Sequence, residues 1–253
     1  ERVYFQGNNK SPEELAQALR LGLGRIVVDN CHEMGLLEDL ARSEGKRQKI
    51  LLRLTPGIDP HTHQFTTTGI VDSKFGFSLV GGQAEEAVRS ALRSSQRLQL
   101  TGLHFHLGSP IFDMEPYEKA IPVVLEFAAR MRERHGFSLE ELSVGGGFAV
   151  TYLREKPAPP ISQYAETIAG GLKDGCRRWN LKEPGLVIEP GRSIVGRAGV
   201  AFYAVGAIKN IPGVRTYVCV DGGMADNIRP ALYGAKYEVM VANQPLAEAN
   251  QTV

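Results

Sequence analysis

Short apolar, β-branched runs alternate with amphipathic stretches along most of this chain. Val3, Tyr4 and Phe5 read as a first strand, and Ser11-Pro12-Glu13-Glu14 then supplies an N-cap, a proline at the first helical position and a capping-box glutamate. The segment YFQG within this start is similar to a protease-tag remnant, but it runs directly into a strand-turn-helix unit. Further strand runs follow at RIVVDN (25–30), KILLRLTPG (49–57), LQLTGLHFHLGS (98–109), ELSVGGG (141–147) and GLVIEPGRS (185–193). Between them, EMGLLEDLARSEG, QAEEAVRSALRSS, a stretch from about 115 to 135 and ISQYAETIAGGLKDGCRRW carry helical periodicity. Six strands alternating with helices predict a parallel sheet covered by helices, the α/β class. The polar segment at 58–76 is longer than a connection needs, which suggests a functional loop. Near residue 198 the alternation stops: GVAFYAVGAIKN and TYVCVDGGM read as successive strands with no helix between them. The expected division is therefore a (β/α) unit over 1–197 and the start of a β-rich domain over 198–253.

Composition narrows the partners. With 43% hydrophobic and 23% charged residues the chain is an ordinary globular one, and its 253 residues suffice for one large domain or one domain plus part of another. A formal charge of +1 supplies no field for nucleic acid or an anionic membrane, so a small-molecule partner is expected. No run approaches the ~18 apolar residues of a membrane span. Cys31, Cys176 and Cys219 are odd in number, widely separated and outside any metal-ligand spacing, and read as reduced core thiols of a cytoplasmic protein.

Chemistry-bearing residues gather where the strands end: His104, His106 and Ser109, then Gly145-Gly146-Gly147, then Glu189, Pro190, Gly191 and Arg192, and later Asp221. In a parallel barrel the C-terminal strand ends converge on one face, so these positions predict a single site. Each has an ordinary alternative. The three glycines, after a strand and before a helical region, suit a phosphate-binding turn or a plain tight turn equally. Glu189 and Arg192 fit a paired surface turn as well as a site. Alternation places His104 and His106 on one strand face, where stacking or hydrogen bonding is expected and no third ligand for a metal is evident. His61 and His63 read as solvated loop residues. VDGGMADNIRPALYGAKY resists a bland account: Arg229 fits bidentate binding of a carboxylate, and Tyr233 offers a hydroxyl on a rigid ring.

GLHFHLGS, SVGGGF, IEPGRSIVG and VDGGMADNIRPALY, in this order, resemble the fold type III pyridoxal-phosphate decarboxylases, and the likeness extends to GNNKS and to TPGIDPHTH…DSKFGF. RPALY favours the branch acting on a distal amino-carboxylate over the ornithine and arginine decarboxylases. A carboxynorspermidine-type decarboxylase and a non-catalytic cofactor-binding relative stay as alternatives. The resemblance implies a (β/α)8 TIM-type barrel with about six of its eight strands present here, followed by a β domain. It implies pyridoxal 5′-phosphate as cofactor, a small amino-acid substrate, and a homodimer with its site at the interface. By matching position, His106 would stack on the cofactor ring, while Ser109 and Gly145, Gly146 and Gly147 would hold its phosphate. Glu189 would face the pyridine nitrogen, with Pro190, Gly191 and Arg192 in the phosphate and substrate surround. Arg229 and Tyr233 would hold the distal end of the substrate, and Asp221 would orient its amino group. Two family features are missing. The Schiff-base lysine belongs to a strand upstream of Val3, Lys10 matching a later turn, and the proton-donor cysteine belongs to a segment beyond ANQTV. The expectation is a chain truncated at both ends and inactive alone.

Overall fold

The computed structural model describes residues 3–60, 68–70 and 72–246, so His61 and His63 lie outside the described residues. Two compact units divide the chain, one formed by Glu1–Ala149 and Pro159–Arg192, the other by Val150–Ala158 and Ser193–Val253.

The first unit alternates strand and helix: β1 (Tyr4–Phe5), α1 (Pro12–Leu21), β2 (Arg25–Val28), α2 (Cys31–Ser43), β3 (Gln48–Thr55), β4 (Phe77–Ser78), α3 (Gln83–Arg93), β5 (Leu98–His104), α4 (Glu115–His135), β6 (Glu141–Gly146), α5 (Ile161–Arg178) and β7 (Gly185–Glu189), with α6 (Gly191–Val195) beginning at its edge. The anticipated capping box is present, Ser11 Oγ accepting from the Glu14 amide and Glu14 reaching back to the Ser11 amide. In α2 and α4 the buried positions recur at three- and four-residue intervals, as in Met34, Leu37 and Ala41 or Tyr117, Ile121 and Val124, which is the stripe that packs a helix on a sheet.

Six strands lie parallel in the order β1-β2-β3-β5-β6-β7, and short β4 joins β3 at its far end. The sheet is curled, as side-chain contacts across it require. Neighbouring strands stand about 4.8 Å apart, so four spacings would hold β1 roughly 19 Å from β6 in a flat sheet. Yet Tyr4 Oη donates to Glu141 Oε2 at 3.0 Å, and Arg25 Nε of β2 reaches the same carboxylate at 2.9 Å. Burial raises the Glu141 carboxyl, but the bonds from Arg25 and Tyr4 outweigh it and leave the group below its ordinary range. This cluster lies where β1, β2 and β6 begin, so it ties the barrel at the end opposite the convergent C-terminal strand ends.

The second unit contains an antiparallel pair, β8 (Val205–Ile211) and β9 (Arg215–Val220), and a short helix α7 (Arg229–Tyr233). Of the three cysteines only Cys176 is buried; Cys31 and Cys219 are exposed, against the expectation of core thiols for all three. No helix among the described residues is long and apolar enough to cross a membrane.

Candidate active site

The C-terminal ends of β5, β6 and β7 build the centre. His104 ends β5 and is fully buried; Glu189 ends β7; Ser143 lies in β6 between them. Glu189 Oε1 is 3.0 Å from His104 Nε2 and accepts the Ser143 hydroxyl at 2.8 Å. Gln6, just past β1, lies close enough to help lower the same carboxylate, so residues from opposite ends of the sheet order approach one group. Burial raises Glu189, but these bonds and the neighbouring His104 outweigh it and bring the carboxyl down to about 2. Burial lowers His104, holding the ring neutral.

His106 follows immediately. Its Nδ1 accepts the Gly146 amide at 3.2 Å, which leaves the proton of the neutral ring on Nε2. Desolvation, reinforced by the charge of Arg53, pushes His106 down to about 4. The result is an uncharged aromatic ring close to a fixed anion.

The glycine run differs from its expected placement. The strand continues through Gly146, and the next helix starts only at Ile161, so the glycines do not open a helix. Gly145 donates its amide to Ser143 Oγ at 3.3 Å and Gly146 donates to His106, so two of the three amides are engaged within the protein. Glycine is needed here because backbone approaches closely: a Cβ on Gly146 would stand 2.0 Å from the Glu189 carbonyl oxygen. Ser109 lies on the adjoining loop, Pro190 and Gly191 follow Glu189 directly, and Arg192 sits in the first turn of α6.

Three further groups shape this end of the barrel, and none is apparent from motif reading. Arg53 of β3 lies 3.7 Å from Asp29 and stacks its guanidinium 4.2 Å from the Phe75 ring centroid. Asp29 accepts the Gly76 amide at 3.0 Å, tying the long loop to β2. Lys10, read from sequence as a loop residue, is buried: Nζ donates to the carbonyls of Gly7 and Val27 and to Glu33 Oε1, the last at 2.7 Å. All three ammonium protons are thereby used, which leaves no role for Lys10 as a nucleophile.

Asp221, Arg229 and Tyr233 belong to the second unit. Asp221 Oδ1 accepts the Ala204 amide at 2.7 Å, and Arg229, in the first turn of α7, donates to the Tyr152 hydroxyl at 3.4 Å with its guanidinium 5.7 Å from that ring. Tyr233 ends the same helix. Among the described residues no group of three or more His, Cys, Asp or Glu could hold a metal ion.

The depressed values make the fold acid-sensitive. Between 6.5 and about 4 the unfolded chain takes up a proton that folded His106 refuses, and between 4.5 and about 2 the same holds for Glu189. Stability is therefore full above about pH 6.5 and falls continuously below it, by roughly 2–3 kcal/mol from His106 alone by pH 4.5. Urea midpoints measured from pH 7.5 to 4.5 should decline; a flat profile contradicts the buried, neutral assignment of His106.

Comparison with known proteins agrees with this geometry. The family model for the pyridoxal-binding domain of pyridoxal-dependent decarboxylases matches residues 1–196. The diaminopimelate decarboxylase of Bacillus methanolicus is 46% identical over 252 residues, covering 100% of this chain and 58% of that protein. That of Bacillus subtilis strain 168 is 47% identical over 244 residues, 96% of this chain and 55% of its own length. A crystal structure of diaminopimelate decarboxylase from Helicobacter pylori complexed with L-lysine superposes with a TM-score of 0.83 at 32% identity, over 95% of this chain and 57% of that one. The chain thus spans little more than half the length of the relatives it matches.

Proposed function

Because this chain belongs to the pyridoxal-dependent decarboxylase family, we propose that the polypeptide carrying it decarboxylates meso-diaminopimelate to L-lysine and carbon dioxide in the cytoplasm, as a homodimer, with pyridoxal 5′-phosphate as cofactor. One observation carries the reading: at the convergent strand ends an ionised Glu189, held by His104 and Ser143, shares its surroundings with the uncharged ring of His106. That donor set fits the cofactor, since a protonated pyridine nitrogen needs a stable anion and its aromatic face needs a flat neutral partner. When bound, the cofactor supplies an electron sink for the carbanion left as carbon dioxide departs.

In this reading Glu189 keeps the ring nitrogen protonated and His106 covers the ring. With the amides of Gly145 and Gly146 engaged internally, the phosphate falls to Gly147, Ser109, Gly191 and Arg192. The covalent anchor does not come from Lys10, whose three protons are taken. Arg229 and Tyr233 are assigned to the distal carboxylate of the substrate and Asp221 to its amino group, with Arg192 shared between phosphate and substrate. A bidentate guanidinium prefers a distal amino-carboxylate to the bare amine of ornithine.

Release of labelled carbon dioxide from carboxyl-labelled substrates by the polypeptide that joins this chain to a cofactor-bonding lysine tests the assignment. Diaminopimelate should be turned over in preference to ornithine and arginine, and Arg229→Ala should lower kcat/KM for it by roughly 10²-fold or more. Preference for ornithine would contradict the substrate assignment.

A further inference from the structure

Two arrangements are compatible with a 3.0 Å contact between His104 Nε2 and Glu189 Oε1. Either a protonated Nε2 donates to the carboxylate, or a protonated carboxyl donates to a bare Nε2 while the imidazole proton sits on Nδ1. The surroundings decide between them. Nδ1 of His104 is buried and has no hydrogen-bond partner among the described residues, so a proton there would be an orphaned buried donor. Oε1 of Glu189 also accepts the Ser143 hydroxyl, and the hydroxyl oxygen of a protonated carboxyl is a poorer acceptor than a carboxylate oxygen, so a proton on Oε1 would weaken that bond. Both facts select the Nε2–H imidazole. They also forbid the doubly protonated ring, whose second N–H would be the same orphan. The charged groups around His104 are Glu189 from β7, Arg53 from β3 and Asp29 beyond β2, with His106 close by on its own strand end.

We infer that His104 is a positioning residue for Glu189: fixed as an Nε2–H imidazole, it anchors the carboxylate as the immobile anion that faces the protonated ring nitrogen of pyridoxal phosphate. The part concerning the cofactor rests on the proposed function; the tautomer and its hold on Glu189 do not. Sequence alternation puts His104 beside His106, but it does not distinguish them. The structure does, giving His106 to the glycine amide and His104 to the carboxylate.

The test needs no turnover. Histidine ¹⁵N spectra of the chain between about pH 6 and 8 should show His104 with Nε2 protonated and Nδ1 bare; an Nδ1–H ring or an imidazolium overturns the inference and requires no substitution. The carboxyl ¹³C titration of Glu189 in the ligand-free chain should then shift upward by about one pH unit or more in His104→Phe, a tenfold weaker acid, and return towards the original midpoint in His104→Gln, whose amide replaces the Nε2 donor. Equal midpoints in all three proteins overturn it. With ¹⁵N-labelled pyridoxal phosphate added, the ring-nitrogen titration midpoint should lie about one pH unit or more lower in His104→Phe than on the unsubstituted chain, and return towards the original value in His104→Gln. Equal ring-nitrogen midpoints in the unsubstituted chain and His104→Phe overturn the cofactor-facing part, whereas failure of the unsubstituted chain to bind pyridoxal phosphate counts against the proposed function and leaves the first two readings to decide the tautomer.

Discussion

Glu33→Leu should cost about 3–5 kcal/mol in urea unfolding followed by the fluorescence of Trp179, the chain's one tryptophan. The side chains of Lys10 and Glu33 are only 2% and 4% exposed and meet at 2.7 Å, so deleting the carboxylate strands an ammonium where water cannot reach it. Against a total stability of about 5–15 kcal/mol, that loss leaves much of the chain unfolded at moderate denaturant. Lys10→Met combined with Glu33→Leu should recover part of the loss, because no charge then remains unpaired, although the carbonyls of Gly7 and Val27 lose their donor and the Asp29 amide loses its acceptor. The pair matters to the site through position. Lys10 clamps the turn after β1, which carries Gln6 to Glu189, onto β2 and α2. If Glu33→Leu were as stable as the unsubstituted chain, Lys10 would not be held as described.

Gly147→Ala should be comparably damaging. This glycine has φ +102°, and a Cβ would stand 2.1 Å from the carbonyl oxygen of Gly108 and 3.1 Å from Ile111 Cδ1. The nearest obstacle is backbone, held by the Ile111 amide donating to the Gly147 carbonyl at 2.7 Å, so the loop bearing Ser109 must shift. A loss of about 3 kcal/mol combines the strained backbone with the overpacked contact. Gly171→Ala provides the contrast: it lies within α5, and its added methyl would meet Ile121 at an ordinary 3.6 Å. That substitution should be neutral or stabilise by up to about 1 kcal/mol. Equal effects from the two would show that the Gly147 turn is not closely packed.

Much of the first unit was readable before the fold was seen, for a physical reason. A strand buried on both faces, by helices outside and by the curled sheet's own interior inside, needs a largely apolar run ended by a turn, and Ile26 to Val28 and Ile50 to Leu54, broken only by Arg53, have that form. The capping box at Ser11 to Glu14 marks its own helix because all of its partners are within three residues. β4 was not legible: two residues, Phe77 and Ser78, carry no periodicity, and only pairing with β3 defines them. Site residues followed the same division. Glu189 and His106 stood out as polar side chains at the ends of apolar strands, whereas Ser143 looked like any strand serine until β7 supplied its acceptor 46 residues later. Lys10 is a loop residue without a covalent role, as its family position implies, but its burial is not legible in the sequence because it is decided by Glu33, on a different helix. The glycine run leaves a phosphate turn and a plain tight turn equally open in the sequence, and the inward bonds of the Gly145 and Gly146 amides depend on Ser143 and His106. In each case the missing information was a partner distant in sequence, and a residue's own neighbours do not encode it.

Binding of pyridoxal 5′-phosphate to the barrel unit is the claim on which the functional reading depends, and a ³¹P NMR titration of the cofactor with this chain measures it even at millimolar affinity. The account predicts a saturable shift or broadening of the phosphate resonance that is reversible, leaves Lys10 unmodified after borohydride treatment, and weakens by about tenfold or more in Glu189→Ala, at a cost of about 1.4 kcal/mol. A resonance unperturbed up to about 5 mM chain-saturating conditions, or one perturbed equally in Glu189→Ala, would contradict it.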